Sequence, residues 1–109
     1  MARRLARGEV RLCRFPSPDK ERPVLVLTRN NVIDRLGNVT IAPITSTVRG
    51  VDSEVFLDEG DGMKGPCAIN LHNVATIPQS SLGPIVARLS ALRLRAVCTA
   101  MNYALGCDE

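Results

Sequence analysis

A chain of 109 residues is long enough for one hydrophobic core, and we predict a single domain over residues 1–109. Hydrophobic residues make up 45% of the chain, which argues against intrinsic disorder, whereas aromatic residues make up only 3% and Trp is absent. This composition disfavours RNA-binding modules that stack bases on aromatic rings. The net charge is +3 and most cations are arginine, whose planar guanidinium matches phosphate. An RNA substrate or an acidic protein partner is therefore permitted but not required.

The cysteine pattern argues against a metal site. Cys13, Cys67, Cys98 and Cys107 form no C-x-x-C pair, and the single histidine, His72, is remote from three of them in sequence. Zinc needs clustered ligands, so we predict no metal and no other cofactor. The chain shows no signal-peptide pattern and no apolar run near the ~20 residues of a membrane span. We expect a cytoplasmic protein whose reduced cysteines pack as small hydrophobic residues.

The chain begins with a predicted basic tail and a strand. Residues 1–7 are rich in arginine and are expected to form a flexible tail. Residues 8–15 alternate between apolar and polar side chains, which predicts a β-strand. The alternation places Val10 and Leu12 on one face and Glu9, Arg11 and Cys13 on the other.

The middle of the chain predicts several more short strands. Pro16 and Pro18 interrupt the first ladder, because proline cannot continue it. The apolar, β-branched run at residues 23–28 predicts a buried strand, and residues 29–37 are interpreted as a connection. Five further strands are predicted, at residues 39–44, 54–57, 67–71, 74–77 and 85–89.

The last segment changes period and predicts an amphipathic helix over residues 90–106. Ser90 is placed to cap its N-terminus and Gly106 to close its C-terminus. Arg93 lies in the first turn, where a cation opposes the helix dipole, which indicates that the dipole did not decide its placement. The predicted apolar stripe consists of Leu94, Val97, Cys98, Met101 and Leu105.

These elements together favour one fold class. Many short strands with Gly and Pro turns, one terminal helix and no βαβ rhythm are typical of a mainly β protein. We predict a small antiparallel barrel with the C-terminal helix packed on it.

Two polar spots are suited to RNA cleavage. RNA can be cut without a metal, because its own 2′-hydroxyl attacks the neighbouring phosphate and the protein only moves protons and stabilises charge. Arg22, at the mouth of a predicted strand, is suited to clamping phosphate. The hydroxyls of Thr45, Ser46 and Thr47 at another strand end can hold phosphate oxygens. On the residues alone, a solvated strand-end arginine and an ordinary hydroxyl-rich turn are the more common explanations.

His72 and Asn73 form a third candidate. An imidazole titrates near neutral pH and is a natural proton carrier, while an amide can donate and accept hydrogen bonds at a base edge. A lone histidine at a strand end is more often structural, and that alternative stays open.

Several segments, in their order along the chain, resemble the MazF/PemK (Kid) family of toxin endoribonucleases. RGEV at residues 7–10 resembles the family's first strand, ERPVLVL at residues 21–27 its RPxLVL strand, and APITS at residues 42–46 its xPITS strand end. Each motif alone has low specificity, but their joint order covers the chain from about residue 7 to 106. Later segments that follow the family order are SEV, VATI and IVARLS, at residues 53–55, 74–77 and 85–90.

The resemblance implies an SH3-like, MazF/CcdB-like antiparallel barrel with a C-terminal helix, assembled as a homodimer. Family members cleave single-stranded RNA at short motifs without metal, leaving a 2′,3′-cyclic phosphate or 3′-phosphate and a 5′-hydroxyl. The family's catalytic arginine and threonine match Arg22 and Thr45, with Ser46 beside them. Because arginine is a poor base at pH 7, we prefer acid and stabiliser roles for Arg22. The implied partner is a cognate acidic, MazE-like antitoxin whose disordered tail folds along the groove.

This chain departs from the family's pattern at two places. The loop before Arg22 lacks the longer Gly-containing segment of many relatives, so Lys20, which is expected to contact RNA, has a smaller role. His72-Asn73 stands where many relatives carry Asp-Gln. We expect Ser46, His72 and Asn73 to line the groove near the bases, with His72 supplying a proton function.

Two other functions fit the same fold class. CcdB-like toxins share the barrel but bind DNA gyrase. A catalytically inactive barrel would bind RNA or a partner in a salt-sensitive way without cleaving RNA. The RP and TS pairs beginning at Arg22 and Thr45 favour the nuclease, because gyrase binding does not require them.

Overall fold

The computed structural model describes residues 5–14 and 21–106. In these ranges it contains seven β-strands, two α-helices and three short 3-10 turns. The strands are β1 (Glu9–Arg14), β2 (Glu21–Val26), β3 (Asn38–Thr45), β4 (Glu54–Leu57), β5 (Cys67–Asn70), β6 (Ala75–Pro78) and β7 (Leu82–Arg88). The helices are α1 (Asn30–Ile33) and α2 (Ala91–Leu105), and the 3-10 turns are Glu59–Asp61, Leu71–Asn73 and Gln79–Ser81.

The strands form one antiparallel sheet. Its order is β4-β5-β3-β2-β1-β7, and β6 also pairs with β3. The predicted mainly β fold with antiparallel strands and a C-terminal helix is therefore confirmed. Within the described ranges no ladder joins β4 to β7, so the predicted barrel is more accurately an open seven-stranded sheet.

Two elements differ from the sequence expectation. The connection predicted at residues 29–37 contains the one-turn helix α1. Strand β7 begins at Leu82, three residues before the predicted start at Ile85, because Gly83 and Pro84 concealed the strand pattern. Proline is tolerated here since β7 ends the sheet order and pairs only with β1 among the described strands.

Strand β1 is buried on both faces, which corrects the predicted polar face. Glu9 and Arg11 are only 5% and 4% exposed. The Arg11 Nε donates to Glu9 Oε1 at 2.8 Å, and its Nη1 donates to the Gly83 carbonyl of β7 at 2.9 Å. Burial of the two charges is thus compensated by an ion pair and by hydrogen bonds.

The predicted N-terminal tail is wrong where the structure describes it. Leu5 is buried. The backbone N–H of Arg7 donates to Asn30 Oδ1 at 2.8 Å, and its guanidinium donates to the Leu27 carbonyl at 2.9 Å and to Cys98 Sγ at 3.2 Å. Arg7 therefore connects the start of the chain to α1 and α2, while the residues before Leu5 lie outside the described ranges.

Helix α2 has the predicted caps but a different buried face. Ser90 Oγ accepts the Arg93 N–H at 3.1 Å, and Gly106 adopts a left-handed φ of 67°. Cys98 and Leu105, predicted in the apolar stripe, are exposed. Ala100 and Ala104 face the core instead of Cys98 and Leu105. Their small side chains allow the helix to pack closely on the sheet. The observed stripe consists of Leu94, Ala96, Val97, Ala100, Met101 and Ala104.

The core has two parts, and β2 contributes to both. Leu25 points into the cluster beneath α2, while Val24 and Val26 point into a second cluster that includes Ile33 of α1. This explains why the β2 sequence is a continuous apolar run rather than an alternating one. In the described part of the chain, neither helix is long and apolar enough to cross a membrane.

Candidate active site

The start of β2 and the end of β3 lie side by side. The two strands are antiparallel with Val24 opposite Pro43, and continuing this register by two residues places Arg22 opposite Thr45. Both residues line one groove of about 750 Å³. Strand pairing thus brings together two motifs that lie far apart in sequence.

Arg22 projects from an anchored backbone position. It lies opposite Cys13 of β1 in the β1–β2 ladder, and its side chain is exposed. The next residue, Pro23, has a fixed φ, which restricts the backbone at the mouth of the strand. The guanidinium therefore reaches the groove from a well-defined Cα position.

The hydroxyls at the end of β3 lie in the same groove. Thr45 pairs with Ala68 of β5, and its Oγ1 accepts the Thr47 N–H at 3.1 Å. This bond holds the Thr45 side chain and turns the chain, so that Ser46 and Thr47 follow as exposed residues. Thr45, Ser46 and Thr47 all line the groove.

The groove also has an apolar surface. Its described lining offers aliphatic rather than aromatic side chains, in keeping with the low aromatic content of the chain. Such a surface suits packing against a sugar or a base, with the polar groups fixing its orientation. The aliphatic side chains of the lining are Leu12, Pro23, Ile44, Met63 and Val86.

One wall of the groove is not visible in the sequence pattern. Residues 63–67 line it, including Lys64 and Cys67, although the sequence showed only a Gly- and Asp-rich loop there. A signal was present, because Lys64 is the one cation in an otherwise acidic stretch. Its position beside Arg22 and Thr45 depends on long-range packing that local patterns do not show.

The loop before this wall is closed by hydrogen bonds. The Asp58 carboxylate accepts the Gly60 N–H at 2.9 Å, and Asp61 Oδ2 accepts the Asp58 N–H at 3.0 Å. Arg93 of α2 donates from Nε to Asp61 Oδ1 at 2.9 Å and from Nη2 to Oδ2 at 3.2 Å. This fork explains why Arg93 occupies the first turn of a helix, where the dipole disfavours a cation.

Two groups near this wall have pKa values that are shifted in opposite directions. The hydrogen bond from Arg93 lowers the pKa of Asp61, so the carboxylate stays ionised. Burial raises the pKa of the Cys67 thiol, and the carboxylates of Asp61 and Asp58 raise it further. Cys67 is therefore a protonated packing group at neutral pH, and burial has the same effect on the pKa of Cys13.

The predicted role of the cysteines as packing groups is confirmed for two of them. Cys13 and Cys67 are buried, whereas Cys98 is exposed beside Arg7, so the prediction is wrong for Cys98. Cys107 lies outside the described residues.

Glu21 supplies the one carboxylate of the described groove lining. Its Oε2 lies 3.7 Å from Arg14 Nη2 in an exposed ion pair. The groove therefore combines a guanidinium, an ammonium, three hydroxyls and a carboxylate. That set of groups suits binding of a phosphodiester and transfer of protons around it.

Comparison with known sequences identifies the family. Residues 6–105 match the PemK-like, MazF-like toxin family of type II toxin–antitoxin systems. The chain belongs to this family. It is 41% identical to "Probable endoribonuclease MazF5" of Mycobacterium tuberculosis over 105 residues, which cover 95% of each chain. It is 43% identical to "Endoribonuclease MazF3" of the same species over 90 residues, which cover 83% of this chain and 87% of the relative.

Solved structures of MazF toxins share the fold. The Mycobacterium tuberculosis toxin MazF-mt6 has a TM-score of 0.82 and 39% sequence identity, with 90% of this chain and 96% of that chain covered. An endoribonuclease in complex with its cognate antitoxin, from a mycobacterial species, has a TM-score of 0.84 at 23% identity, which shows the fold alone.

Two residues that were predicted to contact RNA, His72 and Asn73, are not part of the described groove lining of this MazF-like toxin. His72 and Asn73 form the 3-10 turn after the far end of β5, whereas Cys67 at its near end lines the groove. The His72 ring bonds to the Ser53 hydroxyl. Lys20 lies outside the described residues. The structure thus brings Arg22, Thr45 and Ser46 together and leaves His72 and Asn73 apart from them.

Proposed function

We propose that this toxin is an endoribonuclease that cleaves single-stranded RNA without a metal ion. The observation that carries the proposal is that Arg22, Thr45 and Ser46 line one groove. The antiparallel register of β2 and β3 supports this arrangement, because it brings the start of β2 next to the end of β3. Family membership and relatives named as endoribonucleases support it. The polar groups of the groove, dominated by hydrogen-bond donors and hydroxyls, fit phosphate better than a divalent cation.

The proposed reaction uses the substrate's own nucleophile. The 2′-oxygen forms a bond to phosphorus, the bond from phosphorus to the 5′-oxygen breaks, and a 2′,3′-cyclic phosphate and a 5′-hydroxyl result. The 2′-hydroxyl proton passes to a base, and the leaving 5′-oxygen gains a proton. Glu21 is the carboxylate available in the described lining to accept the first proton.

Arg22 and Thr45 stabilise charge in this proposal. The guanidinium of Arg22 donates two hydrogen bonds to the phosphate and serves as acid or stabiliser at the leaving oxygen. The Thr45 hydroxyl holds a non-bridging oxygen or orients the 2′-hydroxyl, and Ser46 contacts the adjacent nucleotide. Donors that are already in place lower the reaction barrier, because they stabilise the charge that develops on the phosphate oxygens without having to reorganise. The anchored backbones of β2 and β3 favour such an arrangement.

The proposed setting is the bacterial cytoplasm, with a homodimeric toxin held inactive by a cognate acidic antitoxin. The net charge of +3 and the cations of the groove favour an acidic segment that folds on binding. A MazF-like structure of the same fold has been solved with its cognate antitoxin. Such a segment would compete with RNA for the groove.

The test is a cleavage assay with a long natural RNA in excess EDTA, followed by mapping of the new ends. We expect discrete cuts with 5′-hydroxyl ends from the unaltered protein and none from Arg22→Ala. Arg95→Ala is the matched control, because Arg95 is an exposed arginine of α2 outside the groove lining. Intact RNA after incubation with the folded protein, or equal cleavage by Arg22→Ala, contradicts the proposal.

A further inference from the structure

Lys64 is a cation of the groove that the proposed chemistry does not use. It is exposed and lines the groove together with Arg22 and Thr45. Within the described ranges, no carboxylate lies within ion-pair distance of its ammonium. Arg22 and Lys64 are the two cations of the described lining. An ammonium that has no carboxylate partner among the described residues, on the wall of the groove that holds Arg22 and Thr45, is suited to a second phosphate.

We propose that Lys64 binds an RNA phosphate next to the scissile one, and that the Asp61–Arg93 pair positions Lys64 from helix α2. The identity of the ligand as RNA rests on the proposed function. The contacts that hold the wall do not depend on it.

The wall is fixed on both sides of Lys64. Met63, immediately before it, is buried in the core cluster beneath α2. Gly62 has φ 91°, and a Cβ built on it would lie 3.0 Å from the Ala87 Cβ of β7, so the loop approaches the sheet as closely as glycine allows. Cys67 begins β5 and is also buried. The backbone at Lys64 is therefore held, and its side chain is the part free to follow a ligand.

The same loop carries acidic residues that would repel RNA. Asp58, Glu59 and Asp61 lie just before Lys64 in sequence. The Asp58 carboxylate is directed to the Gly60 N–H, and that of Asp61 to Arg93. Both carboxylates lie close enough to the groove to act on Cys67, whose pKa is raised first by burial and then by them. The Arg93–Asp61 pair thus holds the loop that carries Lys64.

This arrangement couples a helix outside the groove to binding within it. Arg93 is not part of the described lining, so its effect on RNA must pass through Asp61 and the segment that carries Lys64. If Arg93 acts by positioning Lys64, its replacement should weaken binding only while Lys64 is present.

The experiment measures binding of a fluorescent 2′-O-methyl RNA oligonucleotide by anisotropy at several salt concentrations. This probe lacks the nucleophile and is not cleaved, so the result does not depend on the proposed reaction. We expect Lys64→Ala to raise the Kd about tenfold and to reduce the slope of log Kd against log salt by about 0.7, the value for one phosphate of a single strand. Lys64→Arg, which keeps the charge, should bind within about twofold of the unaltered protein.

A double-mutant cycle tests the positioning role. We expect Arg93→Ala to raise the Kd about threefold in the presence of Lys64 and to have no further effect in the Lys64→Ala background. Arg95→Ala controls for the loss of one positive charge from α2, and circular dichroism establishes that every variant is folded. An unchanged Kd and salt slope for Lys64→Ala overturn the phosphate contact, and additive effects of the two substitutions overturn the positioning role. Absence of cleavage by the unaltered protein, with these binding results intact, refutes the proposed function alone.

Discussion

Replacing Arg93 by alanine should destabilise the fold by about 1–2 kcal/mol. The substitution removes two hydrogen bonds to an ionised carboxylate, of 2.9 and 3.2 Å. A hydrogen bond to a charged group contributes about 1.5–3 kcal/mol when well shielded. Here the side chain of Arg93 is 33% exposed and that of Asp61 is 11% exposed, so solvent screening reduces this contribution. Removing a cation from the first turn of α2 also relieves about 0.3–1 kcal/mol of unfavourable interaction with the helix dipole, which reduces the net loss.

The pH dependence of this loss follows from Asp61. Arg93 lowers the pKa of Asp61 in the folded protein, so the contribution of the pair to stability is present above the unfolded-state pKa of about 4 and is lost as the pH falls through the lower folded value. The free energies of unfolding of the unaltered protein and Arg93→Ala should therefore converge in acid. Urea unfolding followed by circular dichroism, from pH 7 downwards, measures both curves.

The neighbouring arginine provides the control for this prediction. Arg95→Ala removes the same charge from the same end of α2, and Arg95 is exposed, so its stability should stay within about 0.5 kcal/mol of the unaltered protein. An Arg93→Ala variant that is as stable as Arg95→Ala at pH 7 would refute the reasoning. So would a difference that persists unchanged along the acid limb.

Three further predictions concern the groove and its surroundings. Thr45→Val removes the hydroxyl and keeps the β-branched shape, so we expect an intact fold and a single-turnover cleavage rate lower by about 10²-fold; a rate within threefold of the original excludes the hydroxyl from the chemistry. Glu21→Gln removes the proposed proton acceptor and should lower the cleavage rate by about 10²-fold, whereas an unchanged rate assigns the base elsewhere. His72→Ala should leave both the cleavage rate and its pH profile unchanged, because the imidazole bonds to Ser53 outside the described groove; a shifted profile would return His72 to the reaction.

Local patterns were sufficient for the elements that carry the site. The apolar run of β2 and the hydroxyls after β3 are visible in the sequence, and the caps of α2 follow from Ser90 and Gly106. Each of these features depends on residues close together in the chain. The resemblance to MazF toxins then selected Arg22 and Thr45 from among similar strand-end residues, and the β2–β3 register placed both in one groove.

The remaining features depend on partners that are distant in sequence. Which face of α2 is buried depends on how the helix packs against the sheet. Ala100 and Ala104 therefore lie on the buried face, whereas Cys98 and Leu105, which were expected there, are exposed. In our proposal, Lys64 is positioned in the groove because Arg93 of α2, which is distant in sequence, binds Asp61 in the same loop. His72 is adjacent to the strand that lines the groove, but it lies at the strand's far end. Sequence spacing alone does not distinguish the two ends of a strand.

The buried charges of β1 have a consequence for how the family evolves. Glu9 accepts hydrogen bonds from Arg11 and from the Ala6 N–H, and Arg88 of β7 lies 3.6 Å from its second oxygen. Loss of Glu9 or Arg11 alone leaves the other charge buried without its partner and should destabilise the fold by about 3–5 kcal/mol. Joint replacement of both residues by apolar residues of similar volume should be close to neutral. A single substitution at position 9 or 11 should therefore destabilise the fold more than joint replacement of both residues. Homologous toxins that differ at one of these two positions should therefore differ at the other as well.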